Sequence, residues 1–336
     1  MKTNVLVFLI IFCANILNAQ TFDETKKSAE QGDATAQFSL GLKYNNGEDT
    51  FRDKKQAFYW FKKSAVQGNA NAQLMLGAFY DDGEGTLTDK KQAFYWYKKS
   101  AEQGLAIAQF NLGFMYYGGE GTLADKKQAF YWFKKSAEQG NATAQLFLGF
   151  MYNKGEGTLT DKKQAFYWYK KSAEQSDAAA QFNLGSMYYK GEGTLTDKKQ
   201  AFYWYKQCAE QGDAKAQFNI GLMYKNGEGT LMDKKQAFYW YKKSAEQGDA
   251  EAQLNIGLMY DNSEGTLTDK KQAFYWYKKS AEQGYARAQL ILGLMYKNGE
   301  GTLADKKQAA FWIRKSYENG DAKAKEAWDK FELWKY

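Results

Sequence analysis

The segment DKKQAFYW runs from Asp53 to Trp60, and the same eight letters begin again at Asp89, Asp125, Asp161, Asp197, Asp233 and Asp269. An eighth copy, DKKQAAFW, begins at Asp305, so the spacing is 36 residues throughout. A fixed period of roughly 20 to 50 residues is typical of a repeat array, not of one compact fold. Counted from Ala29, eight blocks follow without insertion, at 29–64, 65–100, 101–136, 137–172, 173–208, 209–244, 245–280 and 281–316.

Each block contains two helical patterns, which we describe in the fourth block, 137–172. The first pattern runs from Asn141, a good N-cap, to Lys154, and Gly155 follows where a left-handed residue commonly ends a helix. The second begins after Asp161, which has Gln three residues later and so resembles a capping box. Its apolar face is wide and comprises Ala165, Phe166, Trp168, Tyr169 and Ala173.

These patterns predict an all-α fold, because there is no alternation of period two and the chain contains no Pro. DKKQAFYW is then the capped first half of each second helix. Its aromatic residues are expected to pack against the neighbouring repeat; stacking on a cofactor is the alternative. Gly149 and its equivalents permit close approach of the two helices. Ser176 and Ser263 replace Gly after a helix and should be slightly strained if φ is positive there.

The recurring pattern A-x-A-Q-x-x-L-G-x-x-Y-x-x-G-x-G, followed by D-x-x-x-A-x-x-W-[FY]-x-K-[SA]-A-x-x-G, resembles the Sel1-like repeat, a branch of the tetratricopeptide-like helical solenoids. The resemblance covers residues 29–316 in all eight blocks. It implies an α/α solenoid superhelix of helix-turn-helix repeats, whose first helices line a concave groove that holds protein or peptide partners. Unlike the cysteine-rich secreted branch of the family, the chain has no Cys pair in each repeat. The Pro common before the second helix is also absent.

The two ends of the chain differ from the blocks. Lys2 and an apolar run from Val5 to Phe12 precede Ala19, an order that predicts a signal peptide over 1–19; a retained anchor is the alternative. Residues 20–28 are predicted to form an N-terminal cap, and residues 317–336 a C-terminal capping helix. We therefore expect a secreted or periplasmic protein without a membrane span.

Composition argues against most catalytic chemistry. The chain has no His, which excludes Ser-His-Asp and Cys-His pairs and the HExxH zinc site. No Ser has a Lys three residues later, as serine β-lactamases require, and GEGTL lacks the spacing of a phosphate-binding loop. The expectation is no enzyme, no cofactor and no metal site. A net charge of +7, or +6 without the leader, does not indicate nucleic acid binding.

Cys208 is the one Cys left after leader cleavage. Its position near the end of a second helix predicts a partly buried, inert thiol; a disulfide-linked dimer is the alternative, and a monomer is the expectation. The four Lys of each second helix form either a solvated face or a basic stripe in weak contact with an anionic cell-envelope surface.

Variation between the blocks identifies a candidate binding surface. The second helices barely change, whereas the first helices differ at the seventh, eleventh, fourteenth and eighteenth residues of each block, which share one helical side. Exposed Phe residues there are costly without a partner; neutral drift after duplication is the alternative. With the seventeenth-position Tyr residues added, the predicted partner-binding residues are Asn111, Phe114, Tyr117, Phe147, Phe150, Asn183, Ser186, Tyr189, Asn219, Leu222, Asn255 and Leu258.

The leading functional hypothesis is a secreted or periplasmic scaffold that binds a protein or peptide in its groove. Two hypotheses of other classes are an envelope enzyme acting on cell-wall material or a β-lactam, and a surface adhesin that binds a host factor. A hydrolysis assay distinguishes the enzyme from the other two. Retention of the protein on washed intact cells distinguishes the adhesin.

The exported protein is expected to start at Gln20, because the charged, apolar and small-residue segments occur in the order that signal peptidases recognise. Intact-mass measurement of the protein recovered from the envelope or the medium checks this. A species that still carries residues 1–19 would contradict the prediction.

Overall fold

The structure, a computed structural model, describes residues 21–335, which form eighteen α-helices and one short 3-10 helix without any strand. Predictions about residues 1–20 lie outside the described part. The chain divides into two compact units, residues 1–160 and 161–336, which we describe separately. In both units helices alternate between the first and second type of each block, so the all-α repeat architecture expected from the sequence is confirmed.

The described part of the first unit contains eight helices. The first helix precedes the first helix pair; each later odd-numbered helix is the second helix of a block, and the even-numbered helices are first helices. They are α1 (Phe22–Glu30), α2 (Ala34–Asn46), α3 (Lys54–Val66), α4 (Ala70–Asp82), α5 (Lys90–Glu102), α6 (Ala106–Gly118), α7 (Lys126–Glu138) and α8 (Ala142–Lys154).

The second unit continues the alternation with ten helices and closes with the 3-10 helix Leu333–Lys335. The helices are α9 (Lys162–Glu174), α10 (Ala178–Lys190), α11 (Lys198–Glu210), α12 (Ala214–Asn226), α13 (Lys234–Glu246), α14 (Ala250–Asn262), α15 (Lys270–Glu282), α16 (Ala286–Asn298), α17 (Lys306–Glu318) and α18 (Ala322–Lys330).

Local sequence signals set the helix ends. Asp125 caps α7 by accepting hydrogen bonds from the backbone N–H groups of Lys127 and Gln128. The prediction of a reciprocal capping box is wrong in its second half: the Asp125 N–H donates to the carbonyl of Tyr116 at 2.9 Å, so the cap ties the second helix to the first helix of its block.

The residues that follow the C-terminal ends of the helices have the left-handed backbone conformation that the sequence predicts. Gly155 ends α8 with φ of 73°. Ser176 and Ser263 also have positive φ, at 68° and 57°. The condition for the expected strain, a positive φ, is therefore met, because a side chain in this left-handed region costs free energy that Gly avoids.

In the blocks that lie within one unit, the two helices meet at a glycine. A Cβ built on Gly113 of α6 would lie 2.8 Å from Cδ1 of the buried Phe133 of α7. In the second unit, a Cβ on Gly221 would lie 2.7 Å from Cδ1 of Tyr241. Real Cβ atoms do not approach ring carbons so closely, so the absence of a side chain permits the helix–helix distance.

Consecutive blocks meet through the loop between the first and second helices. The second Gly of GEGTL in one block, such as Gly121, lies against the carbonyl of the first helical Lys of the preceding block, Lys90. Nζ of Lys90 is 3.3 Å from the Glu120 carboxylate of the same loop. Each loop therefore covers the N-terminus of the second helix in the block before it.

A chain of buried polar groups runs through each unit. In the first unit, Nε2 of Gln109 donates to the Ala101 carbonyl at 3.2 Å, and its Oε1 accepts from Gln139 Nε2 at 2.8 Å. Ser136 Oγ donates to the Ala106 carbonyl at 2.7 Å. Because the polar atoms are paired, their burial is not penalised by an unmet hydrogen bond.

The aromatic residues of DKKQAFYW form the core and its outer edge. In the third block Trp132 is 8% exposed and Tyr131 is 46% exposed, and Phe133, the residue that follows the segment, is fully buried. Tyr131 packs edge-to-face on Trp132, with ring centroids 5.0 Å apart. The predicted core role of the segment's aromatic residues is confirmed for Trp132, whereas Phe130 is partly buried and Tyr131 lies on the outer surface.

The structure also bears on membrane spans and on the one described cysteine. No helix among the described residues is long and apolar enough to cross a membrane.

Cys208 is completely buried in α11, and this burial raises the pKa of its thiol to about 12. The sequence indicated a partly buried thiol; the structure buries it fully.

Replacing Gly113 by Ala should lower the free energy of unfolding by about 1–3 kcal/mol, because the added methyl overlaps the Phe133 ring in a close-packed core. The matched control is Gly118→Ala in the same helix, where the added Cβ meets only Glu120 at 3.6 Å. This change should stabilise by about 0.5–1 kcal/mol through helix propensity. Urea unfolding checks both variants, and equal effects would contradict the packing argument.

Cys208 should not react with a thiol-specific disulfide reagent near pH 8 while the chain is folded, because the thiol is buried and stays protonated below its raised pKa. After unfolding in guanidinium chloride one thiol should react for each chain that lacks residues 1–19. Rapid labelling of the native protein, or a melting temperature that falls with reducing agent, would show that the thiol is accessible.

Candidate partner-binding face

The candidate site is the side of the even-numbered helices that carries the block-variable residues; we call it the first-helix face. All twelve predicted residues lie on this side and all are partly buried. The first unit carries Asn111, Phe114, Tyr117, Phe147 and Phe150. The second unit carries Asn183, Ser186, Tyr189, Asn219, Leu222, Asn255 and Leu258.

In the first unit the structure gathers the predicted Phe residues into one aromatic cluster. Phe147 stacks on the buried Phe133, with centroids 5.4 Å apart and ring planes at 24°. Phe114 meets Phe147 edge-to-face at 5.4 Å, and Phe110 lies 6.0 Å from Phe114. Phe150 packs against the same core group. Offset and edge-to-face contacts at these distances are favourable beyond the burial of area.

This packing corrects one expectation. The sequence suggested that Phe114, Phe147 and Phe150 are exposed, but each is partly buried, and Phe147 covers Phe133 directly. The reason is that the eleventh residue of one block lies over the aromatic second-helix residue of the block before it. Phe147 therefore contributes to both the core and the surface.

Tyr117 is held at one border of this cluster. Its hydroxyl donates to Glu156 at 2.7 Å, and Nζ of Lys126 lies 2.9 Å from the centre of its ring. Lys126 is also 3.7 Å from the Glu156 carboxylate. Partial burial, reinforced by the bond to Glu156, raises the pKa of Tyr117 to about 12. The ring is therefore fixed and neutral at physiological pH, and it offers a rigid aromatic surface.

The first-helix face of the second unit repeats the arrangement with more polar groups. The Tyr189 hydroxyl donates to Glu228 at 2.6 Å, beneath the Nζ of Lys198. Asn255 donates to the Glu251 carbonyl at 2.9 Å. Burial, followed by the nearby Asp249, raises the pKa of Glu251. Asn, Tyr and Glu side chains at this border suit hydrogen bonding to a polar partner.

Sequence reasoning placed the residues at the Tyr169 position on an apolar face but did not identify that they lie beneath the first-helix face. Tyr241 and Tyr277 occupy the position that Phe133 holds in the first unit, and both are fully buried. Their hydroxyls have no hydrogen-bond partner among the described residues, which is uncommon for buried polar groups. Because Leu222 and Leu258 of the first-helix face pack against the core clusters that contain Tyr241 and Tyr277, these two rings lie beneath the face. The sequence signal that could have drawn attention to these residues is the change from Phe133 to Tyr241 and Tyr277 at one position of the repeat.

The described residues do not form a metal centre: no group of three or more His, Cys, Asp or Glu side chains is placed to hold an ion. The recurrent acids have structural roles instead. Asp161 caps α9, and Glu156 pairs with Lys126. The arrangement supports recognition by apolar contact and hydrogen bonding.

Comparison with known proteins agrees with this architecture. The family model for the Sel1 repeat matches eight consecutive segments: 34–69, 70–105, 106–141, 142–177, 178–213, 214–249, 250–285 and 286–321. None of the curated proteins compared with the chain matches it.

Two solved structures are similar over nearly the whole chain. One is c5321, a protective antigen of uropathogenic Escherichia coli with an SLR fold, at 38% identity and a TM-score of 0.87. The match covers 91% of this chain, which spans only 66% of that protein. The other is a Sel1 repeat protein of Oxalobacter formigenes, at 32% identity and a TM-score of 0.69, covering 92% of this chain and 89% of that one.

Eight matched repeats cover residues 34–321, and the helix pairs, capping Asp residues and glycine contacts recur in them with the same geometry. The chain therefore belongs to the Sel1 repeat family.

Proposed function

We propose that this helical repeat scaffold is exported and binds a protein or peptide through its first-helix face. The observation that carries the proposal is the partly exposed aromatic cluster of the first unit, in which Phe114, Phe147 and Phe150 lie above the buried Phe133. Binding residues of protein interfaces are commonly large rings in a partly formed pocket.

Rigidity adds to the suitability of this cluster. Phe147 is held by stacking on Phe133, and Tyr117 is held by Glu156 and Lys126. A ring that is already ordered loses little conformational entropy when a partner covers it. The remaining exposed area of these rings is therefore available for binding at small cost.

The first-helix face of the second unit would contact a partner through hydrogen bonds more than through apolar surface. Asn219 and Asn255 occur at the position that Phe147 holds in the first unit, and each can bond to both N–H and C=O of an extended main chain. The face of the first unit therefore suits an apolar segment, and the face of the second unit suits an extended polar segment.

Export is supported by the predicted leader at 1–19 and by the similar Escherichia coli protein, which is a protective antigen. Outside the cytoplasm no reducing enzymes keep cysteine thiols reduced, so an exposed thiol would be open to oxidation. The buried, protonated thiol of Cys208 is compatible with an oxidising compartment because it does not present a reactive thiolate.

The double variant Phe114→Ser, Phe150→Ser should weaken partner binding by about 2 kcal/mol for each hot-spot residue, roughly 30-fold per site. Binding is measured with peptides selected from a phage-displayed library on the chain that starts at Gln20, and with proteins captured from envelope extracts. Urea unfolding should show a loss of about 1–3 kcal/mol, because both rings are partly buried.

The matched control is Tyr95→Ser, Tyr131→Ser, which removes two rings that are 47% and 46% exposed on α5 and α7 in the same unit. These residues lie outside the first-helix face, so binding should be unchanged. If the control variant loses binding and the Phe variant keeps it, the outer face is the working surface and the proposal is wrong.

A further inference from the structure

Two buried hydroxyl groups beneath the first-helix face of the second unit have no hydrogen-bond partner among the described residues. They belong to Tyr241 of α13 and Tyr277 of α15, whose side chains are fully buried. Burial raises the pKa of both hydroxyls well above the ordinary value for tyrosine, so each is a neutral O–H group at physiological pH. A buried donor without an acceptor costs free energy, and native proteins contain few such groups.

Packing of the core does not account for the two hydroxyls. Phe133 occupies the same repeat position in the first unit, where it is fully buried. It packs against Gly113 as Tyr241 packs against Gly221. A phenylalanine ring is therefore sufficient for the contact between the two helices of a block. Each hydroxyl adds a polar atom that the core does not need, and its free-energy cost is offset only where an acceptor is supplied.

The end of each ring that carries the hydroxyl lies at the first helix of its own block. A Cβ built on Gly257 of α14 would be 3.1 Å from Cζ of Tyr277. The residue that follows this glycine is Leu258, which is partly buried and packs against the core cluster that contains Tyr277. Tyr241 lies against α12 in the same way and packs with Leu222. Each hydroxyl is thus at the underside of the first-helix face, next to a leucine of that face.

The preceding block shows which position can reach this hydroxyl. Tyr205 of α11 occupies the same repeat position, and the fourteenth residue of its block is Ser186 instead of a leucine. Burial raises the pKa of Tyr205 to about 12, and a hydrogen bond with the Ser186 side chain opposes that rise. A polar side chain at the fourteenth position therefore reaches the hydroxyl. In the next two blocks the position is occupied by leucine, which has no hydrogen-bonding atom in its side chain.

The surroundings of Tyr241 favour an uncharged acceptor. Phe218 lies 5.5 Å from its ring, measured between centroids, and Leu222 packs against the same cluster. A carboxylate in this apolar space would lose its hydration, and the charge of Glu251, which acts on the Tyr241 hydroxyl, would repel it. Asn255 donates its amide N–H to the Glu251 carbonyl, so its amide oxygen is the atom that it offers to a partner. An amide or hydroxyl side chain suits these groups.

We propose that the second unit recognises a partner segment by uncharged amide or hydroxyl side chains, which accept hydrogen bonds from Tyr241 and Tyr277. This recognition rests on the function proposed for the first-helix face, and it specifies the chemistry that the second unit selects. Leu222 and Leu258 are partly exposed, and side chains at a surface change rotamer rapidly. Each leucine can therefore turn aside and admit a polar side chain, which supplies the acceptor that the hydroxyl lacks in the unbound protein.

The first measurement is the melting temperature of the double variant Tyr241→Phe, Tyr277→Phe, made in the chain that starts at Gln20. It should equal or exceed that of the wild type, because the hydroxyls that are removed have no bond in the unbound protein. Tyr205→Phe should lower the melting temperature, since it removes the bond with Ser186. A lower melting temperature for the double variant would show that its hydroxyls are already bonded, for instance to a resident water, and would overturn the proposal.

The second measurement is peptide binding. A phage-displayed library of random peptides is depleted on the double variant and then selected on the wild type. The recovered peptides should depend on Asn, Gln, Ser or Thr and should bind the wild type about tenfold or more tightly than the double variant, which leaves the buried acceptor of the peptide unpaired.

The matched control is Tyr239→Phe, Tyr275→Phe, which removes hydroxyls from two rings that are 46% exposed on the same two helices. These rings lie outside the first-helix face, so the recovered peptides should bind this variant like the wild type. Equal losses of binding in the control and in the double variant would contradict a specific role for Tyr241 and Tyr277.

The selection separates this inference from the proposed function. Suppose that no peptide distinguishes the wild type from the double variant, while peptides selected without depletion still lose binding in the Phe114→Ser, Phe150→Ser variant. The hydroxyls then have no part in recognition, and the proposed function stands. If no peptide binds the wild type at all, the proposed function itself fails. Discriminating peptides that depend on Asp or Glu would overturn the choice of an uncharged partner group.

Discussion

The structure depends on the contact between a glycine of each first helix and a ring or aliphatic side chain of the following second helix. Gly113 and Gly221 leave no room for even a methyl group beside Phe133 and Tyr241. This closeness lets a helix pair only 36 residues long bury its apolar faces. One block alone has too little core to fold, so each pair is completed by its neighbour.

Polar contacts fix how one block follows the next. Glutamine, serine and the Lys–Glu pairs make the same bonds at an interval of 30 residues within each unit, as between Gln139 and Gln109 or Lys90 and Glu120. Directional bonds at a constant interval set the register more tightly than apolar contact, which has no direction. The first-helix face touches this set of bonds through Tyr117 and Tyr189, which donate to Glu156 and Glu228, and its other positions are those at which the blocks have diverged.

The same repeat presents different chemistry on different sides. Second helices bury Trp132 and leave Tyr131 outside; first helices carry the variable aromatic and Asn residues; and the loops project Leu123 into solvent. The contact that we propose with a protein or peptide uses the first-helix face.

The sequence by itself determined the helices, their caps and the repeat, because the period, capping Asp and helix-ending Gly are local signals within a few residues of one another. It also indicated which positions vary, including Phe114 and Phe147. Only the tertiary structure decided that Phe147 stacks on Phe133, that the Asp125 N–H bonds to Tyr116 instead of to its own capping box, and that Leu123 projects into solvent. Burial and pairing depend on which side chain of another helix or block lies opposite, and helical periodicity specifies a face but not its neighbour.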